Sequence, residues 1–246
     1  EAKRLEISGD RAPYQFGGRS VDRVTVLNVN CRVQTTGGKD AWGFGSMTLG
    51  NAWAFPAVPH EPGLAAMKAL ADALQPVTAA CDERGHPIDL FRALEPEYLR
   101  AAATVSGALT LPTPIPKLCT LVVASAFDAA IHDAYGKAFG VSAFATYTRE
   151  FMNGDLSADL GPKFKGEYPG RYLLSSPQPT MPVFHSVGAS DAIEPSDLKQ
   201  RVDDGHVPDR GLERDGHRAI AANGPGKSLT LQTVLVRDRK LDGGRA

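Results

Sequence analysis

Several features that mark other protein classes are scarce or missing in this chain of 246 residues. It has only three cysteines, Cys31, Cys81 and Cys119, which lie far apart and form no CxxC pair. An odd number of scattered cysteines argues against a disulfide framework and against the usual spacing of a zinc site. The cysteine pattern therefore favours a reducing compartment.

Long apolar runs and a bias of charge are also missing. No run of about 18 apolar residues occurs, and the first residues, EAKR, are charged, so the sequence predicts neither a membrane-spanning helix nor a secretion signal. The 27 lysines and arginines nearly balance the 28 aspartates and glutamates, for a net charge of -1. This balance argues against nucleic acid or an anionic membrane as a partner. We expect a cytoplasmic protein.

The first half of the chain predicts an antiparallel sheet. From Val21 to Thr35 the residues alternate as in a long half-buried strand, and the turn TTGGKD with the following AWGFGSM predicts a hairpin. A short strand at 5–8 would complete a three-stranded meander. One face of the long strand is predicted to hold Thr25, Leu27, Val29, Cys31 and Val33.

An aromatic string follows the turn, formed by Trp42, Phe44, Trp53 and Phe55. No basic residues alternate with these rings, as they would in a platform for stacking nucleic acid bases. We therefore expect the rings to pack in the core of the hairpin.

Helices are predicted after the sheet. Apolar residues recur at helical spacing over 62–80, and two shorter helices over 88–94 and 97–109 are expected to be separated by Pro96. The clearest helix spans 117–139, with Gly140 at the position of a C-terminal cap. Strands followed by helices predict the α+β class.

The second half of the chain has a different character. Residues 148–182 are rich in glycine, proline and serine and predict a long irregular connection. MPVFHSVGA then predicts a strand, SDLKQRVDDG a helix and RDGHRAIAANG a second strand. This order is that of the beginning of a parallel α/β arrangement.

Three passages carry a resemblance to a known family: FGGRSVDRVTVLNVNCRVQTTGGKDAWGFGSMTLGNAWAFP, ASAFDAAIHDAYGKAFG, and MPVFHSVGA followed by RDG at 214–216. Together they resemble the enolase superfamily, in the branch of mandelate racemase, muconate lactonizing enzyme and the acid-sugar dehydratases. The resemblance implies a capping domain over 1–147, with a three-stranded antiparallel meander and a helical bundle. It further implies an irregular connection over 148–182 and the start of an incomplete (β/α) barrel over 183–246.

The resemblance also implies a chemistry. Full-length members of the branch are Mg²⁺-dependent isomerases and lyases that remove a proton alpha to the carboxylate of a small acid such as an acid sugar. A divalent cation holds the developing negative charge while a positioned base takes the proton. The cap would contribute a loop and a second wall that contact the substrate, and on this chain the candidates are Tyr14, Phe16, Gly17, Gly18, Met47, Asn51 and Trp53.

The chain departs from the family where the chemistry would lie. Ala219 and Ala221 stand where the second barrel strand would carry a Lys-x-Lys pair, and alanine accepts no proton. Gly224 is followed by 22 residues (246 - 224), too few for the remaining barrel. We therefore expect no catalytic residue and no metal ligand in this chain, although its full-length relatives would be active enzymes. The alternatives are a truncated or frame-shifted product, and a non-enzymatic remnant or module that forms homo-oligomers.

Three other motifs suggest sites. The segment AANGPGKS at 221–228 fits a relaxed form of the phosphate-binding loop, which makes nucleotide binding a remote alternative function. A Gly-Pro turn that happens to precede Lys-Ser is the favoured interpretation. Asp128 and His132 lie four apart on one helix; a structural role at the seam of helix and sheet is favoured over a metal pair. His185 and Ser186 have no visible partner acid, so catalysis there is not favoured.

Overall fold

The computed structural model describes residues 2–8, 14–16, 19–21 and 23–180. Of these, residues 2–8 and 23–175 belong to one compact unit, and residues 14–16 and 19–21 belong to another. The predicted barrel strands after Met181, His185 with Ser186, and the 221–228 motif lie outside the described residues.

The first unit contains a three-stranded antiparallel sheet. Its strands are β1 (Ala2–Ser8), β4 (Arg23–Gln34) and β5 (Asp40–Thr48), with β4 in the centre. In the second unit, β2 (Tyr14–Phe16) and β3 (Arg19–Val21) pair as an antiparallel hairpin. The long strand and the hairpin turn predicted from the sequence are confirmed, and Leu27 of β4 lies opposite Met47 of β5.

Five helices occur among the described residues: α1 (Asn51–Ala54), α2 (His60–Ala79), α3 (Pro87–Ala108), α4 (Lys117–Phe139) and α5 (Ser157–Leu160). Helix α4 packs across β4 and β5, and α2 and α3 pack on α4. Strands and helices occupy separate parts of the chain, so the α+β class is confirmed.

The predicted break at Pro96 is wrong. Helix α3 runs through this proline, whose side chain faces solvent. An interior proline costs about 3 kcal/mol through the lost hydrogen bond and steric clash. Leu94, Tyr98 and Ala102 lie one turn apart and are all buried in the core. Burial of a side chain as large as leucine or tyrosine yields roughly 2 kcal/mol, so this stripe offsets the cost of the proline.

Helix α4 is the central element of the core. Twelve of its residues are buried, and they cover most of the circumference of the helix, as expected for a helix surrounded by other elements. Gly140 ends it in the left-handed conformation at φ 72°, as predicted from the sequence. By length and composition α4 is the one described helix that could cross a membrane, and 56% of its apolar window is buried inside the protein.

The two faces of β4 follow the predicted alternation. Thr25, Leu27 and Val29 are buried against the helices, whereas Asn30 and Arg32 on the other face are exposed. The inner face continues into a core shared with the helices, which includes Leu70, Leu74, Tyr98, Val123 and Phe127.

Strand β5 meets α4 through glycines. A Cβ on Gly45 would lie 2.0 Å from the carbonyl oxygen of Ala126, and a Cβ on Gly43 would lie 2.2 Å from that of Ala130. Contacts this short leave no space for a side chain, so the strand backbone rests almost directly on the helix backbone. Glycine at both positions is what allows the sheet and the helix to approach so closely.

The aromatic residues of β5 point the other way. Because the glycines occupy the inner face, Trp42 and Phe44 stand on the outer face and are 59% and 50% exposed. The prediction that these rings pack in the core of the hairpin is therefore wrong. Trp53 is also partly exposed, and Phe55 is the buried member of the aromatic string.

The chain from 141 to 175 forms short turns rather than long elements, as predicted for part of the connection. It contains 3₁₀ turns at Ala143–Thr146, Pro162–Phe164 and Pro169–Tyr172. Hydrogen bonds fasten this segment to the helices: Arg92 of α3 binds Asp159, and the backbone N–H of Asn153 donates to Asp89.

Candidate functional site

The predicted substrate loop corresponds to the hairpin of β2 and β3. Tyr14 and Phe16 lie on β2, and their backbones pair with Val21 and Arg19 of β3. Gly17 and Gly18 connect the two strands and lie outside the described residues. Between β1 and β4, the chain therefore leaves the three-stranded sheet of the first unit to form a separate hairpin.

The predicted second wall is largely internal. Met47 is half-buried against the core, and Asn51 is 2% exposed. The Asn51 side-chain amide donates a 2.6 Å hydrogen bond to the carbonyl of His60 and so fixes the connection from α1 to α2. Among these three candidates only Trp53, at 39% exposure, presents much of its side chain to solvent.

A buried histidine caps the start of α3. The Nδ1 atom of His86 accepts the backbone N–H of Ile88 at 3.3 Å, and the Nε2 atom lies 3.0 Å from the Thr146 hydroxyl. Because Nδ1 accepts a backbone proton, the neutral ring carries its own proton on Nε2 and donates it to Thr146. Thr146 in turn donates to the carbonyl of Ala143 at 2.6 Å. His86 therefore ties α3 to the 3₁₀ turn.

A second histidine lies beside the first. The ring centroids of His132 and His86 are 5.8 Å apart, and Tyr147 lies within 6 Å of both rings. The Nδ1 atom of His132 is 3.0 Å from the Asp128 carbonyl and 3.4 Å from its carboxylate. The Nε2 atom is buried without a hydrogen-bond partner. A structural role for His132 fits these contacts, but the predicted seam with the sheet is wrong, because the ring packs between α4, α3 and the 3₁₀ turn.

The surroundings of the two histidines shift their pKa values in opposite directions. Burial lowers the pKa of His86 to about 4, with a contribution from the positive charge of His132 and opposition from Asp89 and Asp128. Burial also acts to lower the pKa of His132, but the hydrogen bond and the charge of Asp128 outweigh it and raise that pKa. His86 is thus neutral at pH 7. His86 is fully buried and His132 is 15% exposed, and their contacts with Ile88, Thr146 and Asp128 fit a structural role.

A cavity of about 750 Å³ lies at the opposite end of β5 from Trp53. It is open to solvent and is lined by the β4–β5 turn, the loop over 82–85, the C-terminal end of α4 and the segment over 151–153. Its floor is aromatic: the rings of Tyr135 and Phe139 are 4.8 Å apart, and those of Phe139 and Phe151 are 5.3 Å apart. No local sequence pattern marks the position of this cavity, because its walls come from segments that are far apart in the chain.

The described residues contain no group of side chains suited to hold a metal ion. Over 23–180 and the described strands before it, no cluster of three or more His, Cys, Asp or Glu side chains is arranged to hold an ion. The magnesium implied by the resemblance therefore has no ligand set among these residues.

Comparison of the chain with known proteins identifies no relative. No family model matches the chain, and neither a curated protein nor a solved structure is significantly similar to it. The resemblance to the enolase superfamily thus rests on the three sequence passages alone.

Proposed function

We propose that this chain is a capping module of the kind found in the mandelate racemase and muconate lactonizing branch of the enolase superfamily, without catalytic activity of its own. The observation that carries the proposal is the order of elements. A hairpin bearing Tyr14 and Phe16 interrupts the chain between two strands of an antiparallel sheet, and the last strand of that sheet leads into a bundle of three long helices.

This arrangement supports a role in substrate contact rather than in catalysis. Tyr14 and Phe16 lie on a short two-stranded hairpin, and residues that contact a ligand are commonly found on such connecting segments. The buried polar groups of the helical layer, His86 and His132, are enclosed and fix the fold. At the second barrel strand implied by the resemblance, Ala219 and Ala221 replace the proton-accepting lysines.

A turnover assay tests the catalytic part of the proposal. The purified chain is incubated with Mg²⁺ and a panel of aldonic and aldaric acids, and the products are separated by chromatography. We expect no product above the protein-free control. Turnover that EDTA abolishes and that grows with protein concentration would overturn the proposal.

A second candidate function is self-association through the outer face of β5. Trp42 and Phe44 stand side by side there, and large exposed aromatic residues are enriched at protein interfaces. The occupant we favour is a second copy of this chain, because the net charge of -1 gives two copies little mutual repulsion.

Sedimentation equilibrium tests this second candidate. We expect the wild-type chain to dimerise with increasing concentration and the double variant Trp42→Ser/Phe44→Ser to stay monomeric. Replacing Leu118, which is 52% exposed on α4, by serine serves as the control and should leave dimerisation unchanged. A wild-type chain that stays monomeric at all concentrations would rule this function out.

A further inference from the structure

We propose that the cavity at the turn end of the sheet binds a small organic cation, an ammonium group attached to an apolar body. This site is separate from Trp53, the exposed member of the predicted second wall. Trp53 follows the far end of β5, and a strand of 9 residues spans roughly 30 Å at about 3.3 Å per residue.

The size of the cavity suits a small molecule. Its volume of about 750 Å³ falls in the range typical of ligand pockets, and its walls belong to one compact unit. Such a volume is far larger than the gaps that close packing leaves inside a domain of this size. The cavity is therefore a feature of the surface with room for a ligand.

Hydrogen bonds hold the walls in place. The Asn153 side-chain amide donates to the carbonyl of Arg84 at 3.3 Å, and the Tyr135 hydroxyl donates to the carbonyl of Phe151 at 3.3 Å. A Cβ on Gly85 would lie 2.6 Å from Asn153 Nδ2, so the close approach of these two segments needs glycine at position 85. A pocket fixed in this way pays little ordering entropy when a ligand enters.

The aromatic floor favours a cation with an apolar body. Tyr135, Phe139 and Phe151 lie in contact with one another, and Phe139 is 38% exposed. The face of an aromatic ring attracts an ammonium group, and its surface also covers apolar carbon. Val33 and Leu90 extend the apolar lining.

The charges at the rim fix the sign of the ligand. Asp82 and Glu83 are exposed on the lining loop, and neither forms an ion pair with another described residue. Arg84 is the single cationic side chain of the lining, so the charged groups sum to one net negative charge. Two carboxylates above an aromatic floor attract an organic cation and repel an organic anion.

Titration with three probes of one shape tests the proposal. The full chain is titrated with phenethylammonium, 2-phenylethanol and phenylacetate, and backbone amide shifts are followed by NMR. We expect saturable binding of the cation with shifts at 34–38, 82–85 and 151–153, and affinity at least about fivefold weaker for the neutral and anionic probes. Saturation should be reached below about 10 mM cation.

Two sets of variants separate charge from shape. Asp82→Asn/Glu83→Gln should weaken cation binding about fivefold and leave binding of the neutral probe unchanged. Glu61→Gln/Glu97→Gln removes the same charge from exposed sites away from the cavity, and we expect it to change neither affinity. Phe139→Ala should weaken the binding of both the cationic and the neutral probe. All these residues are exposed, so the variants are expected to fold, and thermal melting verifies that they do.

Two results would overturn the proposal. One is the absence of saturable cation binding below about 10 mM, a concentration beyond which affinity is too weak to indicate a site. The other is cation binding that Asp82→Asn/Glu83→Gln and Glu61→Gln/Glu97→Gln reduce equally, because that would assign the attraction to the overall charge of the protein. Neither result depends on the turnover assay, so this proposal and the proposed capping function can fail independently.

Discussion

The backbone N–H of Phe44 donates a 2.8 Å hydrogen bond to the carboxylate of Asp133, 89 residues later in the chain. Phe44 lies on β5, at an edge of the sheet, and Asp133 lies on the central helix. Asp133 also accepts a 2.6 Å hydrogen bond from Lys137, one turn along the helix. Partial burial opposes ionisation of Asp133, but the bonds from Lys137 and Phe44 outweigh it and lower the pKa of this carboxyl.

Removing the Asp133 carboxylate should loosen this edge of the sheet. We expect Asp133→Ala to lower the free energy of unfolding by about 1 kcal/mol, because the Phe44 N–H and Lys137 both lose a partner while retaining access to water. Asp133→Asn keeps an acceptor for the N–H and should cost about half as much. Urea denaturation measures both. If the alanine variant matches the wild type, the bond contributes nothing to stability.

The contact of β5 with α4 predicts that replacing two different glycines by alanine changes the stability of the protein in opposite directions. Gly45→Ala should cost about 3 kcal/mol, because the new Cβ would lie 2.0 Å from the Ala126 carbonyl oxygen and force strand and helix apart. Gly107 on α3 has no atom within 4 Å of its added Cβ. Gly107→Ala should therefore stabilise the protein by about 0.5 kcal/mol through helix propensity. Thermal or urea unfolding of the two variants measures the contrast. Equal effects would mean that the strand does not rest on the helix as described.

The histidine pair predicts a dependence of stability on pH. The pKa of His86 falls from 6.5 to about 4 on folding, so the folded state binds fewer protons than the unfolded chain between these values. The contribution of His86 is complete above about pH 6.5 and is lost as the pH falls toward 4, up to about 3 kcal/mol for this fully buried group. The raised pKa of His132 acts in the opposite sense: its contribution is present below pH 6.5 and is lost as the pH rises through the folded value.

His86→Asn isolates the first of these contributions. Asparagine is a good N-cap residue and does not titrate, so we expect a flatter dependence on pH between 4 and 6.5, whatever the absolute stability. His60→Gln, a change at an exposed position, is the control and should keep the slope of the wild type. Urea unfolding at a series of pH values provides the measurement. A slope unchanged by His86→Asn would assign the acid sensitivity to other groups.

Local patterns in the sequence were enough for part of the fold. The alternation around Leu27 identified the strand and its buried face, and the glycine at 140 marked the end of α4. Alternation places Trp42 and Gly43 on opposite faces of β5, but it does not show which face is buried. The glycine face is buried because the backbone of α4 lies too close to β5 to leave space for side chains, and this close approach depends on the alanines of α4. The predicted break at Pro96 is wrong for a related reason: the burial of neighbouring side chains in the core stabilises the helix through the proline, and the local sequence does not show this burial.

The sites depended still more on tertiary structure. The histidine pair and its partner lie at positions 86, 132 and 146, and the cavity is lined by separate segments between 33 and 153. Neither grouping has a local pattern that a single sequence reveals. A weak signal for His86 was present, because His-Pro followed by an acidic residue is typical of the first turn of a helix.

Exchange of the proton alpha to the carboxylate tests the proposed absence of catalysis most directly. It reports the first chemical step shared by racemases, dehydratases and cycloisomerases, whichever product follows. Aldonic and aldaric acids are incubated in D₂O with Mg²⁺ and the purified chain, and loss of the alpha-proton signal is followed by NMR. The proposed function predicts exchange no faster than with Mg²⁺ alone. Exchange that scales with protein concentration and stops when EDTA is added would contradict it.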